Sequence, residues 1–112
     1  MNPRREIEFQ WDGAAVRSRP TMAKVSEVER KFGAAPVLAR RCAALELSVM
    51  GEQLPILAIM LRGCEGVPKK DAEIVEEAFD AGAIGFLLPM TEWLAAAYSV
   101  NEPPTKSAPE GN

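Results

Sequence analysis

The stretch IEFQWDGAAVRSRP, residues 7–20, decides how the chain begins to fold. Apolar and polar residues alternate up to Asp12-Gly13, and a second short extended run follows. An Asp-Gly pair between two such runs is a strong signal for a β-hairpin with a two-residue loop. The loop length sets the register of the strands, because it places Phe9 directly opposite Val16.

The same register separates a charged face of the hairpin from an apolar face. Glu8 lies across from Arg17 and Glu6 across from Arg19, which are favourable cross-strand pairs. A lone hairpin is marginal in water, so its apolar face must rest on the remainder of the chain. Both strands keep an open edge that could accept a strand from a neighbouring protein. The apolar face consists of Ile7, Phe9, Trp11 and Val16, and we take Phe9 and Trp11 as candidate interaction residues.

Prolines and glycines divide the remainder of the chain into helices. Proline fits the first turn of a helix, where its missing N–H costs little, and glycine fits the position after the last turn. The expected helices cover 21–32, 36–47, 52–63, 69–81 and 83–100. Thr21 is the expected N-cap of the first helix. Gly51 is among the expected stops, Pro89 should break or kink the last helix, and Thr91 would cap its second half.

Apolar spacing within each helix predicts the residues that face the core. The third helix is apolar around its whole axis and is expected to be central and buried. Trp93 and Tyr98 are expected to pack the last helix on the core. In the first, second and fourth helices the expected inward residues are Met22, Val25, Val28 and Phe32; Val37, Leu38, Cys42 and Leu45; and Val75, Ala78 and Phe79.

The length of 112 residues fits one domain with a single modest core. We expect a mainly α fold over residues 1–100, with the hairpin at 5–19 and about five short helices around one core. Residues 101–112, NEPPTKSAPEGN, have no apolar run and are expected to be a disordered tail. The longest apolar stretch has eight residues, too few for a bilayer, and the N-terminus is polar. These features predict a cytoplasmic protein with free thiols and no membrane partner.

Charge is distributed unevenly along the chain. The net charge is −3, which disfavours nucleic acid as a partner because phosphates need a basic surface. Ten basic and seven acidic residues up to Arg62 give +3, and three basic and nine acidic residues from Gly63 onward give −6. The acidic half carries a helical stripe, here called the acidic stripe, made of Glu73, Glu76, Glu77 and Asp80.

The acidic stripe has two interpretations, since charged helix faces are commonly just solvated. It is either such a surface or an interaction face. Arg40 and Arg41 are likewise either ordinary surface residues or the complement of the acidic stripe in a neighbouring copy. The second interpretation predicts a homo-oligomer, and we keep all six residues as candidate interaction residues.

The sequence contains no recognisable catalytic or cofactor-binding pattern. It has no histidine, which removes the usual general base near neutral pH and the Ser/His and Cys/His pairs. Its two cysteines do not have zinc-site spacing, and its glycines lack the context of a phosphate loop. We therefore expect a protein that is not an enzyme and that uses no cofactor or metal.

The order of elements resembles a phage-derived family. Four segments show this order: EIEFQWDG at 6–13, RPTMAKVSEVERKFG at 19–33, LPILAIMLRGC at 54–64 and VPKKDAEIVEEAFDAG at 67–82. This arrangement resembles the small tail assembly chaperones of gene transfer agents and related long-tailed phages, which have also been labelled tail tube components. The resemblance covers residues 5–98, and it includes the Thr21–Glu29 pattern T-x-x-x-x-x-E-x-E and the LRG at 61–63.

The resemblance implies a small, self-associating, largely helical binding protein. Such chaperones coat the tape-measure protein and recruit tail tube protein in the bacterial cytoplasm during particle assembly. It assigns a role to the chain but no particular residues. Two alternatives remain: a structural tail subunit retained in the particle, and a helix-turn-helix DNA-binding regulator. The second is weakened because the second helix begins with PVLA rather than with polar or basic residues.

Overall fold

The computed structural model describes residues 5–99 and begins with the expected hairpin. Strands β1 (Ile7–Trp11) and β2 (Ala14–Ser18) pair antiparallel, with Phe9 opposite Val16. Asp12 and Gly13 have φ angles of 51° and 81°, as a type I′ turn requires. The predicted register is therefore confirmed. The predicted disordered tail at 101–112 lies outside the described residues.

The two faces of the hairpin separate as the alternation predicts. Arg17 Nη2 lies 3.8 Å from Glu8 Oε1, and Arg19 Nη2 lies 3.5 Å from Glu6 Oε2. These pairs are exposed and contribute little stability individually. The apolar face is buried against the helices, which confirms the inward prediction for Ile7, Phe9, Trp11 and Val16.

Five α-helices follow the hairpin within residues 5–99. Thr21 Oγ1 accepts a hydrogen bond of 3.3 Å from Lys24 N, which confirms the N-cap of the first helix. A π-helical turn leads into the third helix, and a 3₁₀ turn leads into the fifth. In chain order the elements are α1 (Met22–Phe32), α2 (Ala35–Ala43), the π turn (Val49–Gln53), α3 (Leu54–Leu61), α4 (Asp71–Ala81), the 3₁₀ turn (Ala83–Phe86) and α5 (Leu87–Tyr98).

Helix α3 occupies the centre of a single core, as its uniform apolarity predicts. Helices α1 and α4 pack on α3, and α2 packs extensively along α5. The hairpin lies across this bundle, with β1 against α5 and β2 against α3. The observed mainly α fold with an N-terminal hairpin and about five short helices is the predicted one.

The helix boundaries and caps differ most from prediction at the end of α2, at Gly51 and around Pro89 and Thr91. Helix α2 ends at Ala43 rather than at residue 47. Gly51 does not stop a helix but lies inside the π turn, where an added Cβ would be 2.7 Å from Ser48 Oγ. Pro89 is the third residue of α5, where helix N–H groups have no internal partner, so it does not break the helix. Thr91 is not a cap, since its Oγ1 donates to Leu87 O at 2.8 Å.

Several apolar residues predicted to face the core are exposed. The apolar face of α4 spans residues 74, 75, 78 and 79, and packing on α3 turns it toward Ile74 and Ala78. Phe79, predicted to face inward, is consequently exposed, whereas Ile74, for which no prediction was made, is buried. The predicted core residues that the structure exposes are Met22, Val37, Leu45, Phe79 and Tyr98.

Candidate functional site

The hairpin is fastened to the helices through Ser18, a buried polar residue. Trp93 Nε1 donates to Ser18 Oγ at 2.9 Å, and Ser18 Oγ donates to the carbonyl oxygen of Met60. Lys24 Nζ also donates to that carbonyl, at 2.8 Å. The Met60 carbonyl belongs to the last turn of α3, where carbonyls lack internal partners. Ser18 of β2 and Lys24 of α1 therefore bond the end of α3, and Trp93 of α5 bonds Ser18 itself, so the hairpin is held in place.

Both edges of the docked hairpin remain open within residues 5–99. In a hairpin with a two-residue loop, the residues flanking the loop form a hydrogen-bonded pair, and such pairs then alternate with non-hydrogen-bonded ones. The outward N–H and C=O groups accordingly belong to Glu8 and Gln10 on β1 and to Ala15 and Arg17 on β2. Among the described residues, no hydrogen bond joins these backbone groups to another element.

Phe9 and Trp11, predicted as interaction residues, are buried and cannot offer their side chains to a partner at the surface. Phe9 is fully enclosed and Trp11 is 5% exposed. Their side chains serve the core, and a strand added at the hairpin would contact backbone groups instead. The open edges of the hairpin were predicted from the alternation of its residues. In the structure, the exposed side chains beside these edges belong to the charged face of the hairpin.

The acidic stripe lies on the outer surface of α4. All four carboxylates are exposed, and none of them forms an ion pair within residues 5–99. Five acidic residues elsewhere in the described part do form ion pairs, namely Glu6, Glu8, Glu27, Glu52 and Asp71. No ion pair within residues 5–99 therefore neutralises the acidic stripe.

Arg40 and Arg41 are not equivalent. Arg41 forms a bidentate ion pair with Glu52, with Nη1–Oε2 and Nη2–Oε1 distances of 2.9 and 2.8 Å. The Arg41 hydrogen bonds and the Ser48 backbone N–H lower the pKa of Glu52. Arg41 thus joins α2 to the π turn, whereas Arg40 is exposed and forms no ion pair within residues 5–99. Complementing the acidic stripe of another copy would fall to Arg40 alone.

A cleft of about 340 Å³ brings the hairpin tip next to the acidic stripe. Trp11 and Phe86 form its aromatic side, with ring centroids 5.8 Å apart. Its carboxylates come from both the turn and α4. The lining residues are Gln10, Trp11, Asp12, Glu77, Asp80, Ala81 and Phe86. The structure thus brings together three candidate residues, Trp11, Glu77 and Asp80, which the sequence assigned to separate surfaces.

Arg62 connects three parts of the chain in a network that sequence reasoning missed. Its Nη1 donates to Glu27 Oε1 and its Nη2 to Asp71 Oδ2, both at 2.6 Å. Glu27 also pairs with Lys31 at 3.1 Å, as the i,i+4 spacing predicts. The hydrogen bonds from Arg62, and secondarily from Lys31, lower the pKa of Glu27 to about 2. This network ties α1 to the start of α4 and is structural.

The thiols and carboxylates form no metal or disulfide centre in the part of the chain that the structure describes. Cys42 and Cys64 are unpaired, and burial raises the pKa of the Cys42 thiol. No group of three acidic or thiol side chains is placed to hold a metal ion among residues 5–99. Nor is any helix in that range long and apolar enough to cross a membrane.

Six exposed apolar side chains mark one end of the helical bundle, here called the apolar end. They come from the segment after α2, the π turn, the end of α4, the 3₁₀ turn and the start of α5. Ile84 and Leu88 are 76% and 71% exposed. The members of the apolar end are Leu45, Val49, Met50, Phe79, Ile84 and Leu88.

Comparisons of this chain with protein-family models, with curated proteins and with solved structures found no match.

Proposed function

We propose that this protein is a non-enzymatic tail assembly chaperone of a phage or gene transfer agent. It binds the tape-measure protein in the bacterial cytoplasm and helps to recruit tail tube protein. The observation that carries the proposal is a hairpin that is fastened to the core yet has two open edges. An open edge offers unpaired backbone N–H and C=O groups to an incoming strand.

The anchoring of the hairpin makes strand addition favourable. A hairpin free in solution would have to be ordered at the moment of binding, which costs conformational entropy. The buried contact from Trp93 to Ser18 and the Met60 carbonyl holds this hairpin in its paired form beforehand. A β-rich tube subunit could then extend the sheet at either edge.

Proline substitution tests the edges without disturbing the hairpin. The N–H groups of Gln10 and Ala15 point away from the partner strand, so Gln10→Pro and Ala15→Pro remove an outward donor but no internal ladder bond. Gln10→Ala is the matched control. We expect at least one proline variant to lose co-purification of the tube subunit by about tenfold, since an edge strand binds through these bonds. Full capture by both proline variants would refute strand addition.

Co-expression with the tape-measure protein tests the chaperone role directly. We expect a soluble complex that can be isolated on a tag attached to this chain. Equal aggregation of the tape-measure protein with and without this chain would contradict the proposal. Mass spectrometry of purified particles addresses the alternative of a retained tail subunit, which requires this chain at stoichiometric amounts in the particle.

The regulator alternative has less support from the geometry. In α2, which would be the recognition helix, Leu38 and Ala39 are buried in the core and Arg41 is paired with Glu52. Recognition helices need polar and basic side chains directed at base edges. We therefore do not adopt DNA binding as the function.

A further inference from the structure

The apolar end arises from the direction in which the helices run. Helices α2 and α4 end there, and α3 and α5 begin there with their leading π and 3₁₀ turns. Gln53 Nε2 donates to Ala83 O at 2.6 Å, which joins the π turn to the 3₁₀ turn. Cys42 Sγ lies 3.5 Å from Leu87 O and joins the end of α2 to the start of α5. These two contacts bring the segments that carry the six exposed apolar residues to one place.

Leu45 shows that the apolar character of this end has a conformational cost. It follows α2 with a φ of 61°, in the left-handed region that favours glycine. The Leu45 and Glu46 amides donate to the Cys42 and Arg41 carbonyls at 3.1 and 2.8 Å, so the helix closes in a glycine-type C-cap. Despite that geometry the position holds a leucine, and its side chain is exposed to solvent instead of packing in the core.

Exposed carboxylates lie on the α4 and α5 side of the apolar end, and Arg40, which forms no ion pair within residues 5–99, lies in the last turn of α2. Glu76 and Asp80 of the acidic stripe adjoin Phe79 along α4, and Glu92 follows Leu88 by one turn of α5. These carboxylates are exposed and have no ion pair within residues 5–99. Two copies that met through this same end would bring together three carboxylates from each copy against one Arg40 from each, an excess of negative charge that is unfavourable.

We propose that the apolar end binds an amphipathic helix whose apolar face is flanked by basic residues. The apolar side chains of such a helix would cover Leu45, Ile84 and Leu88, and its lysines or arginines would reach the carboxylates around them. Exposed Met50 would adapt to different apolar partners, because methionine is flexible. Assignment of this helix to the tape-measure protein rests on the proposed function, but the surface and its chemistry do not.

A synthetic peptide tests the surface independently of any natural partner. The probe is an 18-residue helix with a leucine stripe flanked by lysines. One control peptide carries glutamate in place of lysine, and another has the same composition with its leucines dispersed. Binding to the full-length protein is measured by calorimetry. We expect the probe to bind and both control peptides to bind at least about tenfold more weakly, since they lose charge or apolar complementarity.

Variants with matched controls locate the binding surface. Leu88→Ser and Leu45→Gly should each weaken the probe by about tenfold, the value of one buried apolar side chain. Met22→Ser, at an equally exposed apolar residue of α1, should leave binding unchanged. Glu76→Lys should weaken binding by about threefold or more. Glu65→Lys makes the same charge change in a loop and should have no such effect.

The outcomes separate this surface from its alternatives. Equal binding of the probe by wild type, Leu88→Ser and Leu45→Gly would overturn the proposal, even if the tape-measure protein still co-purified. Binding at the apolar end without co-purification would retain the surface and reject the chaperone role. A wild-type dimer that Leu88→Ser converts to monomer in light scattering would overturn the proposal, because the surface would then belong to a second copy.

Discussion

Removal of the Ser18 hydroxyl tests whether the hairpin is fastened as the structure indicates. Ser18→Ala deletes the acceptor of the Trp93 Nε1–H, and Trp93 is fully buried, so water cannot replace it. The other partner is less affected, because the Met60 carbonyl keeps its 2.8 Å hydrogen bond from Lys24 Nζ. One orphaned donor therefore dominates the effect.

The expected loss follows from that single unsatisfied group. A buried donor without a partner costs about 1–3 kcal/mol, and we expect Ser18→Ala to reduce the free energy of unfolding by that amount. A small domain has only about 5–15 kcal/mol in total, so the loss is substantial. Trp93→Phe removes the donor itself. The destabilisation of the double variant should therefore be smaller than the sum of the two single destabilisations, by about 1 kcal/mol or more.

Urea unfolding followed by circular dichroism measures these differences. Ser26→Ala removes the same chemical group from an exposed position of α1 and serves as the control, with an expected change within about 0.5 kcal/mol. A loss below about 0.5 kcal/mol for Ser18→Ala would refute the reasoning. So would strictly additive effects of the Ser18 and Trp93 substitutions, since the two groups would then not interact.

Two further predictions concern the ion-pair network and the end of α2. The pKa of Glu27 is about 2, below its ordinary 4.5, so its stabilisation is present above pH 4.5 and disappears as the pH falls toward 2. Glu27→Gln should lower the free energy of unfolding by about 1–2 kcal/mol near pH 7, after allowance for the partly exposed Arg62. The difference between wild type and variant should disappear near pH 2. A difference in urea midpoints that does not change with pH would contradict this. Leu45→Gly relieves a positive φ and should raise the free energy of unfolding by about 0.5–1 kcal/mol. Leu45→Ala keeps a Cβ and should give no such gain. A glycine variant that melts at a lower temperature than wild type would show that the backbone at Leu45 is not strained.

The hairpin was predictable because its causes are local. Asp12-Gly13 demands a two-residue turn, and that turn fixes which residues face each other. The alternation of apolar and polar side chains then separates the buried face from the charged one. No distant residue is needed for any of these steps, so the register and both cross-strand ion pairs followed from a few positions.

Helix faces were predicted less well, because burial depends on the neighbouring helix. Helix α3 is apolar on all sides and is buried however it is turned, so its prediction did not depend on a neighbour. Helix α4 offers a wider apolar face than α3 can cover. Which side is covered depends on the packing angle between the two, and Ile74 is buried at the expense of Phe79.

The candidate site divides in the same way. The sequence placed the carboxylates of the acidic stripe on one exposed helix face, because helical spacing alone brings them together. It could not show that Arg41 is paired with Glu52 or that the hairpin tip lies beside Glu77. Each of those contacts joins residues of different elements, too far apart along the chain for helical or strand spacing to bring them together.

The sequence by itself determined the elements of this protein: a hairpin of fixed register, helices bounded largely by proline and glycine, and an acidic stripe. Short-range geometry controls these features, and it acts within a few residues. Only the tertiary structure decided that the open hairpin edges are held on a rigid core and that six apolar side chains gather at one end of the bundle. Those features depend on the direction and rotation of the packed helices. These are set because apolar surfaces that are far apart along the chain compete for burial in a core too small to cover them all.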